Sequence, residues 1–194
     1  MNNKNEVNGN LTDNDSFKEN NHYKKESKNK QISSHNINYK DKYILLVEDN
    51  EDDVELTIRA FKKNNILNKV IILRDGAEAE DFLFAKGLYS KRDIKDLPIV
   101  ILLDIKLPKI DGIELLKRIR QNKLTKLIPV VILTTSDEET DIIKCYNFGV
   151  NSYIKKPVDF ERFTEIVEQL GLYWILVNIP PAALSKDLLE NFNY

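Results

Sequence analysis

Acidic side chains crowd the end of an apolar run near residue 48. The segment YILLV, residues 43–47, is followed by five carboxylates within six residues, the first of which are Glu48 and Asp49. Repulsion between like charges and loss of hydration both oppose such crowding at the end of a buried segment. We therefore expect the acids to be tolerated there because they hold a cation.

Three more strand-like segments are each followed directly by a polar side chain that could bind a ligand or take part in a reaction. Asp104 follows IVILL, Thr134 follows VVIL, and Lys156 follows SYIK. From Asp41 onward the chain has no histidine, and its single cysteine is Cys145, so the candidate ligands are oxygens. Oxygen ligands suit Mg²⁺, with Mn²⁺ as the alternative, rather than zinc.

A simpler explanation exists for each acid taken alone. Glu51, Asp52 and Asp53 fit the start of a helix, where negative charge complements the helix dipole and Asn50 serves as the cap. Glu48, Asp49 and Asp104 would by the same reasoning be capping or turn residues. The joint occurrence of the acids with a hydroxyl and an ammonium favours a functional site.

The elements that must position these residues follow from the hydrophobic pattern. Short apolar runs at 43–47, 70–73, 99–103, 130–133 and 152–154 alternate with segments of helical spacing, such as Val54, Ile58 and Phe61. Strands that are apolar on both faces, alternating with amphipathic helices, predict an α/β domain with a doubly wound parallel sheet. Because ligands bind at the carboxyl ends of such strands, the residues above should share one edge of the sheet.

Composition limits the classes of function. The chain has 194 residues and a net charge of −2, which does not indicate a nucleic-acid binder. The single cysteine fits a reducing compartment, and no apolar stretch reaches the roughly 18–20 residues of a membrane span, so we expect a cytoplasmic protein. We predict a disordered, Asn- and Lys-rich tail over residues 1–41, a folded domain over 42–178 and a C-terminal extension over 179–194.

Four segments together resemble the receiver domain of two-component response regulators: ILLVEDN, VILLDIKLPKIDG, PVVILTTS and YIKKP. The resemblance covers about residues 43–177 and implies a flavodoxin-like (βα)5 fold with strand order 2-1-3-4-5. The polar connection GLYSKRDIKDLP and the ending LGLYWILVNIPP further resemble a single-domain subgroup that includes partners of bacterial phytochromes.

The resemblance implies a role for each site residue. Asp104 is expected to be the phosphoacceptor, and Lys156 is expected to contact the phosphoryl group. Asp49, Asp104 and the backbone carbonyl of Lys106 are expected to bind Mg²⁺ directly, while Glu48 acts mainly through metal-bound water. The neighbouring Lys155 should point away, because side chains alternate along a strand.

The resemblance also implies a switch. Thr134 would bond to the phosphoryl group, and Tyr153 would rotate into the space that Thr134 vacates. Thr135 is the alternative hydroxyl, but Thr134 directly follows the apolar run. Lys106 and Ser136 are the expected rate-setting positions.

The expected function is that of a single-domain response regulator, not an enzyme beyond its own phosphorylation and dephosphorylation. Its partner would be a sensor histidine kinase, of the kind paired with phytochromes. About 20 residues follow the fifth helix, too few for a DNA-binding domain, so output should pass through protein contacts. We expect a homodimer through the fourth helix, fifth strand, fifth helix and C-terminal extension.

Two alternatives remain at this point. One is a pseudo-receiver that is never phosphorylated and acts as a scaffold. The other is a phosphatase or phosphotransferase of the haloacid-dehalogenase type, which would need a second Asp two residues after Asp104, where this chain has Lys106. The C-terminal residues Trp174, Leu176 and Ile179 pack either on their own domain or against a partner.

Overall fold

Residues 42–179 are the part of the chain that the computed structural model describes, apart from the side chain of Leu176. In this part, strands and helices alternate as predicted. The strands are β1 (Tyr43–Val47), β2 (Lys69–Leu73), β3 (Val100–Leu103), β4 (Val130–Thr134) and β5 (Ser152–Lys155). The helices are α1 (Glu51–Lys63), α2 (Gly76–Leu83), α3 (Gly112–Gln121), α4 (Glu139–Asn147) and α5 (Phe160–Leu170). The predicted tail over 1–41 and residues 180–194 of the predicted extension lie outside the described residues.

The five strands form one parallel sheet. Its order is β2-β1-β3-β4-β5, which confirms the predicted doubly wound fold. The central pair aligns Val47 with Leu103, so the residues that follow β1 and β3 emerge side by side. The register therefore brings the polar residues after these two strands to the same edge.

Both faces of the sheet are buried, because successive side chains of a strand point to opposite sides. In β1, Leu45 and Val47 pack into one core layer, whereas Ile44 and Leu46 pack into the other. The first layer also takes side chains from α2, α3 and α4, and the second takes side chains from α1 and α5. The strands are apolar on both faces for this reason.

Short polar side chains start four of the helices. Asn50 accepts hydrogen bonds from the N–H groups of Asp52 and Asp53, which confirms the predicted cap of α1. The caps of α2, α3 and α5 are Asp75, Asp111 and Asp159. These side chains satisfy N–H groups that have no partner inside the helix.

The connection before β3 lies on the surface and is tied to the domain. A 3₁₀ turn, Gly87–Tyr89, is followed by Arg92, whose guanidinium lies 4.2 Å from the centroid of the Phe82 ring. Arg92 also donates to the Tyr43 hydroxyl over 2.5 Å. Further contacts tie the loop to the domain, since the Tyr89 hydroxyl donates to Glu78 and the Tyr43 hydroxyl donates to the Asp96 carbonyl, each over 2.7 Å.

The last helix changes geometry before the described residues end. Beyond α5 the segment Gly171–Val177 is π-helical, and the Asn178 N–H donates to the carbonyl of Tyr173, five residues earlier. Trp174 packs into the core layer formed with α1 and α5, so it packs on its own domain rather than against a partner. Ile179 is exposed. Among the described helices, none combines the length and apolar character that crossing a bilayer requires.

Candidate functional site at the carboxyl edge of the sheet

The polar residues predicted to share one edge of the sheet all stand at the carboxyl ends of strands. Glu48 and Asp49 follow β1, Asp104 follows β3, Thr134 ends β4 and Lys156 directly follows β5. All of them except Asp49 are buried. Charged side chains are rarely buried unless they are paired with a partner. The burial shows that these groups are shielded from solvent.

Two ladder hydrogen bonds bring the acids together beyond the ends of the strands. The Asp104 N–H donates to the Val47 carbonyl over 3.0 Å, and the Glu48 N–H donates to the Leu73 carbonyl over 3.0 Å. Carboxylate oxygens of Glu48, Asp49 and Asp104 lie within 4.8 Å of one another. Ionised carboxylates at this spacing repel one another unless a cation lies among them.

One atom of the cluster shows that a cation fits. Asp104 Oδ1 is buried and has no hydrogen-bond partner, although Oδ2 accepts from the Lys106 N–H over 3.1 Å. A buried acceptor without a donor is destabilising, whereas a metal ion would satisfy it. The oxygen-only ligand set suits a hard divalent cation such as Mg²⁺ or Mn²⁺. That the Lys106 backbone carbonyl is also a ligand of the metal stays a prediction.

The ammonium of Lys156 lies among the carboxylates. Its Nζ is 2.5 Å from Glu48 Oε2, 2.8 Å from Asp53 Oδ2 and 3.7 Å from Asp104 Oδ1. Burial alone would lower the pKa of Lys156, but Asp104, Asp53 and Glu48 outweigh it and raise the pKa. Burial raises the pKa of Glu48 to about 7, although Lys156 opposes that shift. Lys156 therefore stays charged at neutral pH.

The predicted switch residues are joined through the loop after β4. The fully buried Thr134 hydroxyl accepts from the Ser136 N–H over 3.3 Å. The Tyr153 hydroxyl donates to the Ser136 carbonyl over 3.0 Å, and the Ser136 hydroxyl donates to Asp141 over 3.0 Å. Ser136 is thus a shared partner, so displacement of the loop at Thr134 would disturb the Tyr153 contact.

Lys155 and Lys156 point in different directions, as strand alternation predicts. The Lys155 side chain is 57% exposed and pairs with Asp137 over 2.6 Å, whereas the Lys156 side chain is 7% exposed. Only Lys156 of the two therefore reaches the acid cluster.

Asp53 is the site residue that the sequence interpretation missed. It lies in the first turn of α1, as predicted, and its carboxylate also accepts a hydrogen bond from Lys156. Spacing gives no signal for this contact, because Asp49 precedes the Asn50 cap outside α1 and Lys156 lies 103 residues further along the chain.

The arrangement is suited to chemistry on an anionic group. A buried carboxylate with a free oxygen, neighbouring acids that suit a divalent cation, and a fixed ammonium provide positioning and charge stabilisation for phosphoryl transfer. Among the described residues, the edge holds no histidine or cysteine as a rival nucleophile, because Cys145 is buried in the core layer on the α4 side.

Comparisons with known proteins give matches over most of the described residues. The family model described as the response regulator receiver domain matches residues 44–168. The response regulator Rcp1 of Synechocystis sp. is 42% identical over 142 residues, which cover 73% of this chain and 95% of that protein. The probable methanogenesis regulatory protein FilR2 of Methanothrix harundinacea is 40% identical over 138 residues, covering 71% of this chain and 86% of that protein.

Solved structures share the fold. The Mn²⁺-bound form of Rcp1 has a TM-score of 0.67 at 41% identity, and covers 72% of this chain and 99% of its own. The phosphorylated cyanobacterial phytochrome response regulator RcpA has a TM-score of 0.68 at 38% identity, and covers 73% of this chain and 99% of its own.

Proposed function

The chain belongs to the response regulator receiver domain family, and on this premise we propose that it accepts a phosphoryl group on Asp104 from a sensor histidine kinase. The observation that carries the proposal is the buried Asp104 Oδ1, which has no hydrogen-bond partner and faces the acid cluster and Lys156. The similarity to a regulator solved in phosphorylated form supports the same chemistry.

In the proposed reaction, an Asp104 carboxylate oxygen attacks the phosphorus of a phosphohistidine. An O–P bond forms and the N–P bond breaks, so that the electron pair returns to the imidazole nitrogen, which takes up a proton. Hydrolysis removes the modification: water attacks phosphorus, the O–P bond to Asp104 breaks, and inorganic phosphate and the free carboxylate are released. This chemistry makes the chain a phosphoacceptor with self-directed activity rather than an enzyme with a separate substrate.

Each neighbouring residue has a proposed part. Lys156 pairs with the phosphoryl oxygens as a point charge. Thr134 donates its hydroxyl to a phosphoryl oxygen, which moves the β4–α4 loop and frees Tyr153 from Ser136. Phosphorylation is then read out as a loop displacement next to α4 and β5.

We propose Mg²⁺ as the bound cation, with Mn²⁺ able to replace it. Glu48, Asp49, Asp104 and the Lys106 carbonyl would hold the ion, and the similarity to an Mn²⁺-bound regulator supports a divalent site. When bound, the ion neutralises part of the negative charge that the acids and the phosphoryl group bring together.

We propose a phytochrome-like kinase as the phosphoryl donor, because regulators described as phytochrome or bacteriophytochrome partners are 38–45% identical to this chain. Output would pass through α4, β5 and α5. Ile143 and Tyr146 of α4 are more than half exposed, as is Tyr173 beyond α5, which suits a protein contact. A homodimer through this surface is the proposed assembly.

Mass spectrometry tests the phosphoacceptor directly. The wild-type protein is incubated with acetyl phosphate and Mg²⁺, and we expect it to gain one phosphoryl group. Asp104→Asn should gain none, whereas Asp52→Asn, which changes an exposed acid in the first turn of α1, should behave as wild type. Failure of the wild type to gain the group from acetyl phosphate and from a purified histidine kinase would favour the pseudo-receiver scaffold.

Sedimentation velocity tests the assembly. The dimer fraction should rise on phosphorylation and should fall in Ile143→Glu, because a charge is placed on the exposed face of α4. A monomer under both conditions would contradict the proposed homodimer without affecting the phosphoacceptor.

A further inference from the structure

The ammonium of Lys156 is already engaged before any phosphoryl group arrives. Its closest contacts are Glu48 at 2.5 Å and Asp53 at 2.8 Å, while Asp104 Oδ1 lies at 3.7 Å, beyond hydrogen-bond distance. An ammonium has three N–H donors, so two of them are occupied in this state. One donor remains, so a phosphoryl group on Asp104 competes for Lys156 where it takes a second hydrogen bond or draws the ammonium away from these two carboxylates.

The contact with Asp53 is specific to that residue within the first turn of α1. Asp53 occupies the third helical position, and its N–H is bonded to the Asn50 cap. Of its acidic neighbours, Glu51 pairs with Arg74 instead, and Asp52 is exposed. The cap thus fixes the start of α1 so that the Asp53 carboxylate faces Lys156.

The two carboxylates that hold Lys156 differ in exposure. The side chain of Glu48 is 3% exposed, whereas that of Asp53 is 25% exposed. If Lys156 moves away, water can hydrate Asp53 but cannot readily hydrate Glu48. The contact with Asp53 is therefore the one that is released at lower free energy.

We propose that Asp53 is a positioning residue that holds Lys156 in a resting position and competes with a phosphoryl group on Asp104 for its ammonium. This inference rests on the proposed phosphorylation of Asp104. Free energy spent on breaking the Asp53–Lys156 contact is subtracted from the interaction between Lys156 and the phosphoryl group. Asp53 therefore shifts the equilibrium toward the unmodified state.

Neutralising Asp53 should strengthen the binding of a phosphoryl mimic. Beryllofluoride with Mg²⁺ serves as the probe, and isothermal titration calorimetry measures its affinity. In Asp53→Asn we expect affinity to rise by about fivefold to tenfold, because a charge-assisted hydrogen bond of moderate exposure no longer competes. Asp53→Ala should act in the same direction, so the result does not depend on a new amide contact.

The matched control is Asp52→Asn. It removes the same charge from the same helical turn without a described contact to Lys156, and we expect a change of less than about twofold, because an exposed charge is screened. A second comparison repeats Asp53→Asn in the Lys156→Met background. There the gain should fall to that of the control, because no ammonium remains to be released.

Three results would overturn the proposal. They are equal effects of Asp53→Asn and Asp52→Asn, persistence of the gain in the Lys156→Met background, and a loss of affinity in Asp53→Asn with unchanged thermal stability. If any of these results is found while the wild-type protein binds beryllofluoride and takes up a phosphoryl group, only the inference about Asp53 fails and the proposed function stands. Wild-type protein that does neither overturns both.

Discussion

A Cβ atom added to Gly112 would lie 2.0 Å from the carbonyl oxygen of Asp104. The contact is with backbone, which cannot rotate away as a side chain would. The Gly112 N–H also donates to the Ile105 carbonyl over 2.8 Å, which closes the loop after β3. The absence of a side chain at Gly112 thus permits the backbone path that presents Asp104 to the acid cluster.

We predict that Gly112→Ala destabilises the domain by about 1–3 kcal/mol, because the added methyl group forces the backbone at Asp104 to shift. Urea denaturation measures the loss. Phosphoryl uptake from acetyl phosphate should fall as well, since the carboxylate moves with its backbone. The control is Gln121→Ala at the exposed end of α3, which should change stability by no more than about 0.5 kcal/mol. Stability equal to wild type in Gly112→Ala would contradict the proposed role of the glycine.

Mg²⁺ should raise the thermal stability of the wild-type protein. A ligand that binds only the folded state adds about 1.4 kcal/mol at ten times its dissociation constant. Asp49→Asn should lose most of this gain because one carboxylate of the cluster is removed, while Asp52→Asn should retain it. Differential scanning fluorimetry over a Mg²⁺ series, with EDTA as the zero point, gives the measurement. An identical Mg²⁺ response in Asp49→Asn would rule out that residue as a ligand.

Tyr153→Phe should loosen the loop that follows β4. The change removes the hydrogen bond from the Tyr153 hydroxyl to the Ser136 carbonyl, which is worth about 0.5–1.5 kcal/mol. We expect faster amide hydrogen exchange at Asp137 and Glu138 by mass spectrometry, together with a small loss of stability. Tyr146→Phe, at an exposed tyrosine of α4, is the control and should leave exchange in this loop unchanged. Unchanged exchange in Tyr153→Phe would show that the hydroxyl does not hold the loop.

Stability should fall as the pH rises above 9, with a contribution from Cys145. Burial raises the pKa of this thiol from 9.0 to about 11. Between these values the unfolded chain loses the proton while the folded chain keeps it, so the unfolded state binds fewer protons and stability falls with rising pH. The slope from one group approaches at most about 1.4 kcal/mol per pH unit. Cys145→Ala should therefore show a shallower decline in urea unfolding between pH 9 and pH 11, and equal slopes would disprove the assignment.

Much of the fold could be predicted because it depends on patterns that are local in the chain. Apolar runs predict every strand, and Asn50 predicts the start of α1. The ends of the strands are predicted less exactly than their presence. For example, the apolar run begins at Val70, but β2 begins at Lys69. Lys69 pairs with Tyr43 in the ladder, and hydrophobicity does not report such pairing.

The C-terminal region shows where local pattern fails. Helical spacing continued to Tyr173, yet the α-helix ends at Leu170 and a π-helical segment follows. Two residues of this segment, Trp174 and Ile175, are buried in the layer formed with α1 and α5. Whether an apolar residue near a helix end covers its own core or a partner is a question of packing that spacing cannot answer.

By itself, the sequence determined the order of strands and helices and which polar residues follow each strand, because alternation and apolar runs are encoded residue by residue. It also carried the four segments that resemble the receiver family. Only the tertiary structure decided which acids share the ammonium of Lys156. Its partners Glu48 and Asp53 lie 108 and 103 residues away in sequence, and they meet it because the register of the parallel strands and the packing of α1 bring distant chain segments to one edge.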